Sequence, residues 1–387
     1  MFQKVSLQDW ENLVKKQLKV EDIYSILTKE NLEEITVKPY YDNVAKPLKN
    51  LPKVEESTQL VAKYYDGAEE NVYAFLLENN VENLVDKSIY VANKDLAEHI
   101  ASNESNKYYS LIDVFSENSA SINEQLAKEL LAKNFERNIC VDVALYQNAG
   151  ANFIQQIAFA LAKTKELTEI FGAEILKKLV FRIAVGSNFF FEMAKIRALK
   201  LAVNQLSKEF GIDEVPYIFA ETSFRNKAKN DEENNLIRST LELASAMIAG
   251  SDAVFSNDYK LENPTSLSEE ISFKQQIVLA YESIINVFED ASNGSYYVED
   301  LTQQFAAKSW QKFLEIEETG GFLENLKSGK IQKEIYDRAV AEQNWVAEGK
   351  IKLIGVNLYP KLVAKKSASE LYDISIIKSV RLAEMFE

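Results

Sequence analysis

Hydrophobic and polar positions along this chain alternate between two spacings, which predicts a succession of strands and helices. The clearest example begins at Ile139, where a short apolar and β-branched run is typical of a buried strand. Further along, the apolar residues of 152–162 recur at helical spacing, with glutamine and lysine on the other face. The break at 148–151 contains Gly150, which can adopt backbone conformations closed to other residues. This stretch is therefore predicted to form a strand, a turn and a helix.

The same alternation recurs through most of the chain and predicts seven strands, most of them followed by a helix. The predicted strands are 60–65, 88–91, 108–115, the strand from 139, 180–185, 216–220 and 252–256. The predicted helices are 9–19, 68–78, 94–102, 123–133, 152–162, 189–207, 232–249 and 273–289. Repeated strand and helix pairs with short turns that contain Gly or Asn favour a closed parallel barrel over a two-layer sandwich.

The predicted fold class is α/β, a (β/α)8 TIM barrel with an N-terminal helical arm and a C-terminal helical segment. The expected divisions are an arm at 1–58, the barrel at 59–360 and a C-terminal segment at 361–387. The chain has 387 residues, and a barrel of eight units absorbs ~250 residues as one domain. One large domain with two flanking segments therefore accounts for the length.

Composition and charge narrow the classes of function. Lys and Arg number 44 against 59 Asp and Glu, and the net charge of −15 disfavours nucleic acid and anionic membranes as partners. No apolar run approaches the ~20 residues that span a bilayer, and the first residues lead into a charged helix without a signal peptide. A cytoplasmic protein is expected. The single cysteine, Cys140, excludes an internal disulfide and is expected to be a buried apolar side chain.

Residues capable of chemistry are sparse. With one histidine, His99, and one cysteine, histidine-rich metal sites and Cys-His nucleophilic pairs are excluded. No Gly-x-Gly-x-x-Gly motif follows a strand, so a dinucleotide fold has no support. We therefore predict no catalytic, cofactor-binding or metal-ligating residue. A ligand of a parallel barrel binds at the carboxyl ends of the strands, and the polar residues expected there are Tyr146, Gln147, Ser187, Glu221 and Asn257.

Several motifs resemble those of the methylmalonyl-CoA mutases. Residues 141–151 resemble the strand and turn that reads Ser-Gly-Tyr-His-x-Gln-x-Ala-Gly-Ala in the family's catalytic chain, with matches at Gln147 and 149–151. Residues 293–302 resemble Gly-Gly-Ser-Tyr-Tyr-Val-Glu-x-Leu-Thr almost word for word, with Asn293 in place of the first glycine. Further matches, in the family's order, lie at 188–197 (Asn-Phe-Phe-x-Glu-x-Ala-Lys-x-Arg), 234–240 (Asn-Asn-x-x-Arg-Thr), 319–322 and 354–359.

Each motif alone also has a plainer interpretation. Tyr296 and Tyr297 are compatible with core aromatic residues, and Glu192 and Arg197 with a solvated helix face. Together, however, the matches span nearly the whole chain. The resemblance to the family therefore rests on their combination and order.

The resemblance implies a non-catalytic small subunit. The Tyr-His pair that contacts the substrate thioester in the family's catalytic chain falls on Ala144 and Leu145, and His99 lacks the Asp-x-His-x-x-Gly setting of a cobalt ligand. Since the cofactor supplies the hard chemistry of such a rearrangement, we expect this chain to bind no cofactor and to be inactive alone. Its expected partner is a homologous catalytic subunit holding adenosylcobalamin, in a heterodimer. We further expect Leu145 and other bulky side chains to fill the barrel bore.

Other possibilities remain open at this point. The N-terminal arm, with its helix around Trp10, is expected either to embrace a partner, as the resemblance implies, or to pack on its own barrel. The isolated chain could homodimerise. It could instead be a stand-alone acyl-CoA-binding protein, or a mutase-like enzyme acting on another acyl-CoA. The segment 361–387 is expected to lead toward a cobalamin-binding domain that this sequence does not contain.

Overall fold

The computed structural model describes residues 5–42, 48, 51–65, 67–100 and 103–387 of the chain. Parts of the predicted arm, at 1–4, 43–47 and 49–50, and the last two residues of the predicted helix 94–102 lie outside the described residues. The strands are β1 (Gln59–Lys63), β2 (Ala74–Leu77), β3 (Ser88–Val91), β4 (Lys107–Ser110), β5 (Phe115–Ser116), β6 (Ser121–Ile122), β7 (Ile139–Asp142), β8 (Leu179–Val185), β9 (Tyr217–Thr222) and β10 (Ala253–Phe255).

Eight of these strands form a nearly closed parallel barrel, and β5 and β6 form a separate antiparallel hairpin. The order around the barrel is β4-β3-β2-β1-β10-β9-β8-β7. Its two edges meet where the Ser110 amide donates to the Arg137 carbonyl at 2.9 Å and the Cys140 amide donates to the Ile112 carbonyl at 3.0 Å. Each of the seven predicted strands coincides with a barrel strand, so the predicted (β/α)8 fold class is confirmed.

Helices surround the barrel and continue beyond its last strand. They are α1 (Leu7–Leu18), α2 (Tyr24–Leu27), α3 (Lys94–His99), α4 (Glu124–Leu131), α5 (Ala144–Ala149), α6 (Phe153–Phe171), α7 (Phe189–Glu209), α8 (Glu233–Ile248), α9 (Ser266–Ile277), α10 (Tyr296–Glu318), α11 (Gly321–Lys327), α12 (Lys330–Ala347) and α13 (Ala368–Leu371). Helix α10 packs across α6 and α7. One side of the barrel therefore has a second helical layer.

The predicted helix at 68–78 is wrong. Only a 3-10 turn, Ala68–Glu70, forms there, and strand β2 follows it. All four residues of β2 are buried because the strand lies between β1 and β3 in the barrel wall. A continuous apolar run of this length cannot be assigned to strand or helix by periodicity alone. The predicted helix at 273–289 also differs. Helix α9 begins earlier and ends at Ile277, a π-helical turn, Val278–Glu282, follows it, and 283–289 is irregular.

The stretch around Gly150 contains one more element than predicted. The short helix α5 follows β7, and Gly150 ends it with a left-handed φ of +102° before α6 begins. Helix α6 is buried along most of its length, so the expected polar face is only partly exposed: Gln156 and Lys163 are buried, whereas Gln155 and Lys165 are partly exposed. Helices packed on both sides of α6 cover much of the solvent-facing side that its amphipathic spacing predicted.

The two terminal segments differ in how they contact the barrel. Helix α1 has no buried residue, whereas the following chain bonds to the barrel helices, for example through Thr36 and Gln304, which exchange two hydrogen bonds of 2.8 and 2.9 Å. At the other end, 361–387 contains α13 and a 3-10 turn, and Met385 and Phe386 are buried against residues that include Val346 of α12. Within the described part of the chain, no helix is long and apolar enough to cross a membrane.

Candidate functional site

The barrel bore is filled by aromatic side chains from alternate strand positions. Tyr90 of β3 stacks on Tyr109 of β4, with ring centres 4.8 Å apart and planes 16° apart. Tyr217 and Phe219 of β9 fill the opposite side, and the rings of Tyr90 and Phe219 lie 5.0 Å apart. All four side chains are buried. Because ring packing of this kind excludes solvent and ligands, the bore is a packed core.

The tyrosine hydroxyls inside the bore are bonded to one another and to polar groups at the amino ends of the strands. The Tyr90 hydroxyl donates to Gln59 Oε1 at 2.8 Å and shares a 2.6 Å hydrogen bond with the Tyr217 hydroxyl. The Tyr109 hydroxyl donates to Glu55 Oε1 at 2.8 Å. Burial raises the pKa of Tyr90 and of Tyr217 well above 10. These hydroxyls therefore stay protonated near neutral pH and hold the rings in place.

The carboxyl-terminal mouth of the barrel contains a cluster of three charges. The Arg182 guanidinium of β8 donates to Glu221 Oε2 of β9 through Nε at 3.0 Å and Nη2 at 2.7 Å. Its Nη1 lies 3.5 Å from Asp142 Oδ2 of β7. Burial raises the pKa of Glu221, although Arg182 opposes this change. Each carboxylate faces the same cation, so the cluster is suited to closing the mouth rather than to proton transfer.

The mouth lacks the expected contribution from Leu145. Both Ala144 and Leu145 belong to helix α5, beyond the end of β7. Leu145 is half-buried and packs against the hydrophobic layer outside the strands, not with the aromatic residues of the bore. The expectation that bulky side chains fill the bore is confirmed. The expectation that Leu145 is one of them is wrong, because helix α5 has already begun at Ala144.

Two of the five predicted mouth residues lie at the ends of neighbouring strands. Glu221 is inside the mouth, where it is bound to Arg182 as described above. Asn257, just past β10, is fixed to the preceding strand: its Nδ2 donates to the Thr222 carbonyl at 2.6 Å, and its amide donates to Thr222 Oγ1 at 2.9 Å. The structure therefore uses the polar groups of Asn257 within the protein itself.

The other three predicted residues lie outside the bore. Gln147 and Ser187 line a separate cavity between the barrel and the terminal segments, where Ser187 Oγ accepts a hydrogen bond from Asn226 Nδ2. Tyr146 is buried in another place, and its hydroxyl donates to Glu117 Oε1 at 2.8 Å. The structure thus distributes the five residues over three different places.

A buried charge cluster beside Tyr146 was missed from the sequence. Lys163 of α6 donates to Asp113 Oδ2 and lies 3.3 Å from Glu117 Oε1, and its own side chain is fully buried. Its Nζ also lies 4.8 Å from the centre of the Phe115 ring. Burial raises the pKa of Asp113 to about 6, against the opposing effect of Lys163. A lysine inside the apolar run of a helix was the only sequence signal for this cluster.

The family motifs meet each other in a buried ionic network. Arg197 of α7 binds Asp290 through Nε at 2.9 Å and Glu299 of α10 through Nη2 at 2.7 Å. Its Nη1 donates to Thr302 Oγ1 at 3.1 Å. Glu299 in turn accepts from the Leu48 amide at 3.0 Å. The motif at 188–197 and the motif at 293–302 therefore fix a barrel helix, the outer helix and the N-terminal segment to one another.

The plainer interpretations of these motif residues are largely wrong. Arg197 and Glu192 are not on a solvated face: both are buried, and Glu192 Oε1 accepts from the Gly186 amide at 2.6 Å. Tyr296 is not a core residue, since 47% of it is exposed. Tyr297 is half-buried, with its ring centre 5.1 Å from that of Tyr41 in the N-terminal segment. The second helical layer accounts for the buried charges.

The described residues do not provide a set of ligands for a metal or for cobalt. His99 is exposed on α3, and its Nδ1 lies 2.8 Å from the Asp95 carbonyl of the same helix. Among the residues that the structure describes, no group of three or more His, Cys, Asp or Glu side chains could hold a metal ion. Cys140 is buried, and burial raises the pKa of its thiol well above 9. A nucleophilic thiolate is therefore disfavoured there.

Comparison with known proteins gives one family. A family model described as methylmalonyl-CoA mutase matches residues 98–385. The chain is 32% identical to methylmalonyl-CoA mutase of Cereibacter sphaeroides over 278 residues, 69% of this chain and 38% of that protein. It is 30% identical to the methylmalonyl-CoA mutase small subunit of Porphyromonas gingivalis, over 63% of this chain and 42% of that protein. It is 28% identical to the small subunit of Propionibacterium freudenreichii subsp. shermanii, over 59% and 38%. The chain thus spans about two fifths of the length of these relatives.

Proposed function

This chain belongs to the methylmalonyl-CoA mutase family, and we propose from that premise that it is the non-catalytic small subunit of an adenosylcobalamin-dependent methylmalonyl-CoA mutase. In that role it pairs with a homologous catalytic subunit and stabilises it. The heterodimer interconverts methylmalonyl-CoA and succinyl-CoA, and this chain supplies no reacting group. Relatives named as methylmalonyl-CoA mutase small subunits support the assignment.

The filled bore is the observation that supports a non-catalytic role most strongly. A catalytic barrel of this family needs a passage for the pantetheine arm of the thioester. Here that space is occupied by four aromatic side chains, Tyr90, Tyr109, Tyr217 and Phe219. Hydrogen bonds of the tyrosine hydroxyls hold three of the four rings in place. The mouth above them is closed by the pairing of Arg182 with Glu221. A thioester therefore has no route to the interior without rearrangement of the core.

The cofactor is assigned to the partner for a related reason. The only histidine of the chain is exposed, and its Nδ1 contacts its own helix. The described residues therefore do not fit the role of a lower ligand to cobalt. In this proposal adenosylcobalamin is bound by the catalytic subunit, and no step of the reaction passes through this chain.

Helix α1 is the proposed contact with the catalytic subunit. It is a capped helix of 12 residues without a buried side chain, although Leu13 is 55% exposed and Leu18 is 43% exposed. An amphipathic helix with an uncovered apolar face gains stability when another surface covers that face. The two interpretations of the arm thus divide along the chain. The part after α1 packs on its own barrel, whereas α1, although its Trp10 stacks on Tyr40, leaves Leu13 and Leu18 exposed to a partner.

The test is to purify the chain alone and together with the catalytic subunit from the same source. We expect a one-to-one complex by light scattering, and turnover of methylmalonyl-CoA with added adenosylcobalamin only when the catalytic subunit is present. Replacement of Leu13 and Leu18 by Asp is expected to weaken the complex roughly tenfold or more, because one apolar side chain contributes about 1.5–3 kcal/mol when buried. Gln17→Asp, an exposed position on the same helix, is the matched control.

Three results would contradict the proposal. The first is conversion of methylmalonyl-CoA to succinyl-CoA by the isolated chain. The second is the absence of any complex with the catalytic subunit, with the chain instead forming a stable homodimer. The third is micromolar binding of an acyl-CoA to the isolated chain in calorimetry, which would favour a stand-alone binding protein.

A further inference from the structure

A cavity of about 440 Å³ lies beside the barrel mouth and outside the filled bore. Its walls come from parts of the chain that are far apart in sequence: the N-terminal segment 29–33, the loops after β7, β8 and β9, helix α12 and the segment 350–353. The volume is within the ~300–1,000 Å³ of sites that bind small organic molecules. Among the five residues predicted at the mouth, Gln147 and Ser187 face this cavity.

The walls of the cavity are richer in positive charge than the protein as a whole. Five basic residues line it against four carboxylates, whereas the whole chain has a net charge of −15. The basic residues are Lys29, Arg225, Arg338, Lys350 and Lys352. A local excess of cations on an acidic protein is a departure that favours an anionic ligand.

Three of the four carboxylates are already neutralised by groups of the protein. Glu33 accepts from the Phe153 amide at 2.7 Å and from Arg338 at 3.0 Å. Glu342 accepts from Nε and Nη2 of Arg225, at 3.1 and 2.8 Å. The third, Glu192, pairs with a buried lysine of its own helix at 2.6 Å. The remaining carboxylate, Glu30, is exposed. Because Arg225 and Arg338 are themselves the partners of two of these carboxylates, the positive balance of the cavity comes from its lysines.

Two cationic features remain available for a ligand. Nε and Nη1 of Arg338 are buried without a hydrogen-bond partner among the described residues, and an unpaired N–H of this kind costs free energy until an acceptor reaches it. Lys29 and Lys352 are exposed at the rim, and neither is in an ion pair with a described residue. Together they place one guanidinium, whose side chain is 12% exposed and also pairs with Glu33, and two exposed ammonium groups around the same space.

Part of the remaining lining is apolar and aromatic. Phe153, Phe191 and Trp345 line the cavity together with Leu353 and Leu382. Such a surface suits a hydrocarbon or aromatic body, which gains about 25 cal/mol per Å² of apolar surface buried. Inorganic phosphate has no such body, and a duplex nucleic acid does not fit a cavity of this size.

We propose that this cavity binds a small organic carboxylate with an apolar body, through Arg338, Lys29 and Lys352. The carboxylate lies at the basic side and the apolar body against the Phe153, Phe191 and Trp345 rings. This site is separate from the barrel bore, and its existence does not depend on the role of the chain as a mutase subunit.

Calorimetry with 1-naphthaleneacetate as the probe tests the site, and the uncharged 1-naphthaleneacetamide controls for apolar binding alone. We expect saturable binding of one carboxylate per chain, and binding of the amide to be weaker by roughly tenfold or more, since a charge-assisted hydrogen bond contributes about 1.5–3 kcal/mol. Lys29→Glu together with Lys352→Glu is expected to weaken binding of the carboxylate by a similar factor. Lys177→Glu together with Lys178→Glu, two exposed residues at the opposite end of strand β8, makes the same charge change outside the cavity and is the matched control.

Three outcomes would overturn the assignment. One is the absence of saturable binding up to millimolar carboxylate in a chain that is folded by circular dichroism. Another is equal affinity for the carboxylate and the amide, which would mean apolar binding only. The last is an equal loss of affinity in the variant with Lys177→Glu and Lys178→Glu, which would mean a general effect of protein charge rather than a site.

Discussion

The Arg197 guanidinium is fully buried and makes five hydrogen bonds, four of them to the carboxylates of Asp290 and Glu299. Leu48 and Leu51 donate their amides to the same two carboxylates. Ion pairs inside a protein are costly to leave incomplete, because the remaining charge has lost its hydration. The residues that define the family motifs in this chain therefore hold its layers together.

Replacement of Arg197 by Met is expected to destabilise the fold strongly. The change leaves two carboxylates buried without their cation, which typically costs about 3–5 kcal/mol. Lys333→Met is the matched control, since Lys333 forms an ion pair with Asp337 in which both side chains are more than half exposed, and such pairs contribute about 0.2–1 kcal/mol. The free energy of unfolding in urea is the measurement. Equal losses in the two variants would contradict a structural role for the buried network.

The Asp113 carboxyl is expected to lower the free energy of unfolding as pH rises. The carboxylate of an ordinary ion pair has the opposite effect, because its pKa is lowered on folding. Burial raises its pKa from 3.8 to about 6, so the folded state binds a proton more tightly than the unfolded chain does. Its contribution to stability therefore falls as pH rises from about 4 to 6, by on the order of 3 kcal/mol at 1.4 kcal/mol per pH unit. Comparison of the wild type with Asp113→Asn between pH 4 and 7 is the measurement. A difference in unfolding free energy that is constant with pH would contradict it.

Single side chains explain why the candidate site was only partly predictable. The sequence correctly indicated the barrel, but it could not show that Lys163 and Arg197 are buried. Helical periodicity identifies the face that packs on the strands and assumes that the other face is solvated. Here α10 covers that second face of α6 and α7. Likewise, Tyr90 and Tyr217 point into the bore because of strand register, which fixes the face of every side chain.

At the scale of elements, the junction of α5 and α6 depends on one glycine. Gly150 has a φ of +102°, and a Cβ added there would lie 2.6 Å from Ala339 Cβ on α12 and 2.8 Å from Arg225 Nη2. The junction thus requires a residue that both adopts a left-handed backbone and leaves room for a neighbouring helix. The sequence predicted the backbone requirement at Gly150, but not the helix packed against it.

Gly150→Ala is expected to destabilise the protein more than Gly329→Ala. Gly329 also has a left-handed φ, +77°, but nothing lies within 4 Å of an added Cβ. The control therefore reports only the backbone strain of about 1–2 kcal/mol, and Gly150→Ala adds overpacking of about 1–3 kcal/mol against α12. Thermal unfolding of the two variants is the measurement. The steric argument fails if both variants lose the same stability.

The barrel strands other than β2 were predicted from the sequence, as were the long helices α7 and α8. The elements that were not predicted include α5, the hairpin of β5 and β6, and the helices α10, α11 and α12 after the last strand. Strand β2 was missed because its four residues are all buried, so no alternation marks it as a strand. The short crossover after β1 misled the prediction as well, since a (β/α)8 pattern leads to the expectation of a full helix there.

For the molecule as a whole, the two halves of the barrel are built differently. Between β7 and β10 each connection contains a long helix, α6, α7 or α8, and α10 packs over two of them. Between β1 and β4 the described residues of the connections, which leave out 66 and 101–102, form a 3-10 turn, an irregular segment and the six-residue helix α3. Local stability follows the amount of surrounding structure. The half formed by β7–β10 is therefore expected to be the more stable one, and it holds most of the motif residues.

Amide hydrogen exchange under native conditions should reveal this difference. The amides of β2 and β3 are hydrogen-bonded in parallel ladders, as are those of β8 and β9, so hydrogen bonding alone would protect both pairs equally. Because β2 and β3 are covered by shorter connections, they are expected to open in a partial unfolding step while β8 and β9 remain folded. We expect exchange to be on the order of 100-fold faster in the first pair, which corresponds to about 2.7 kcal/mol. Mass spectrometry of peptides from 74–91 and 179–222 measures it. Both pairs could instead exchange at one rate that tracks global unfolding in denaturant. The barrel would then unfold as a single unit, and the half formed by β1–β4 would be as stable as the half formed by β7–β10.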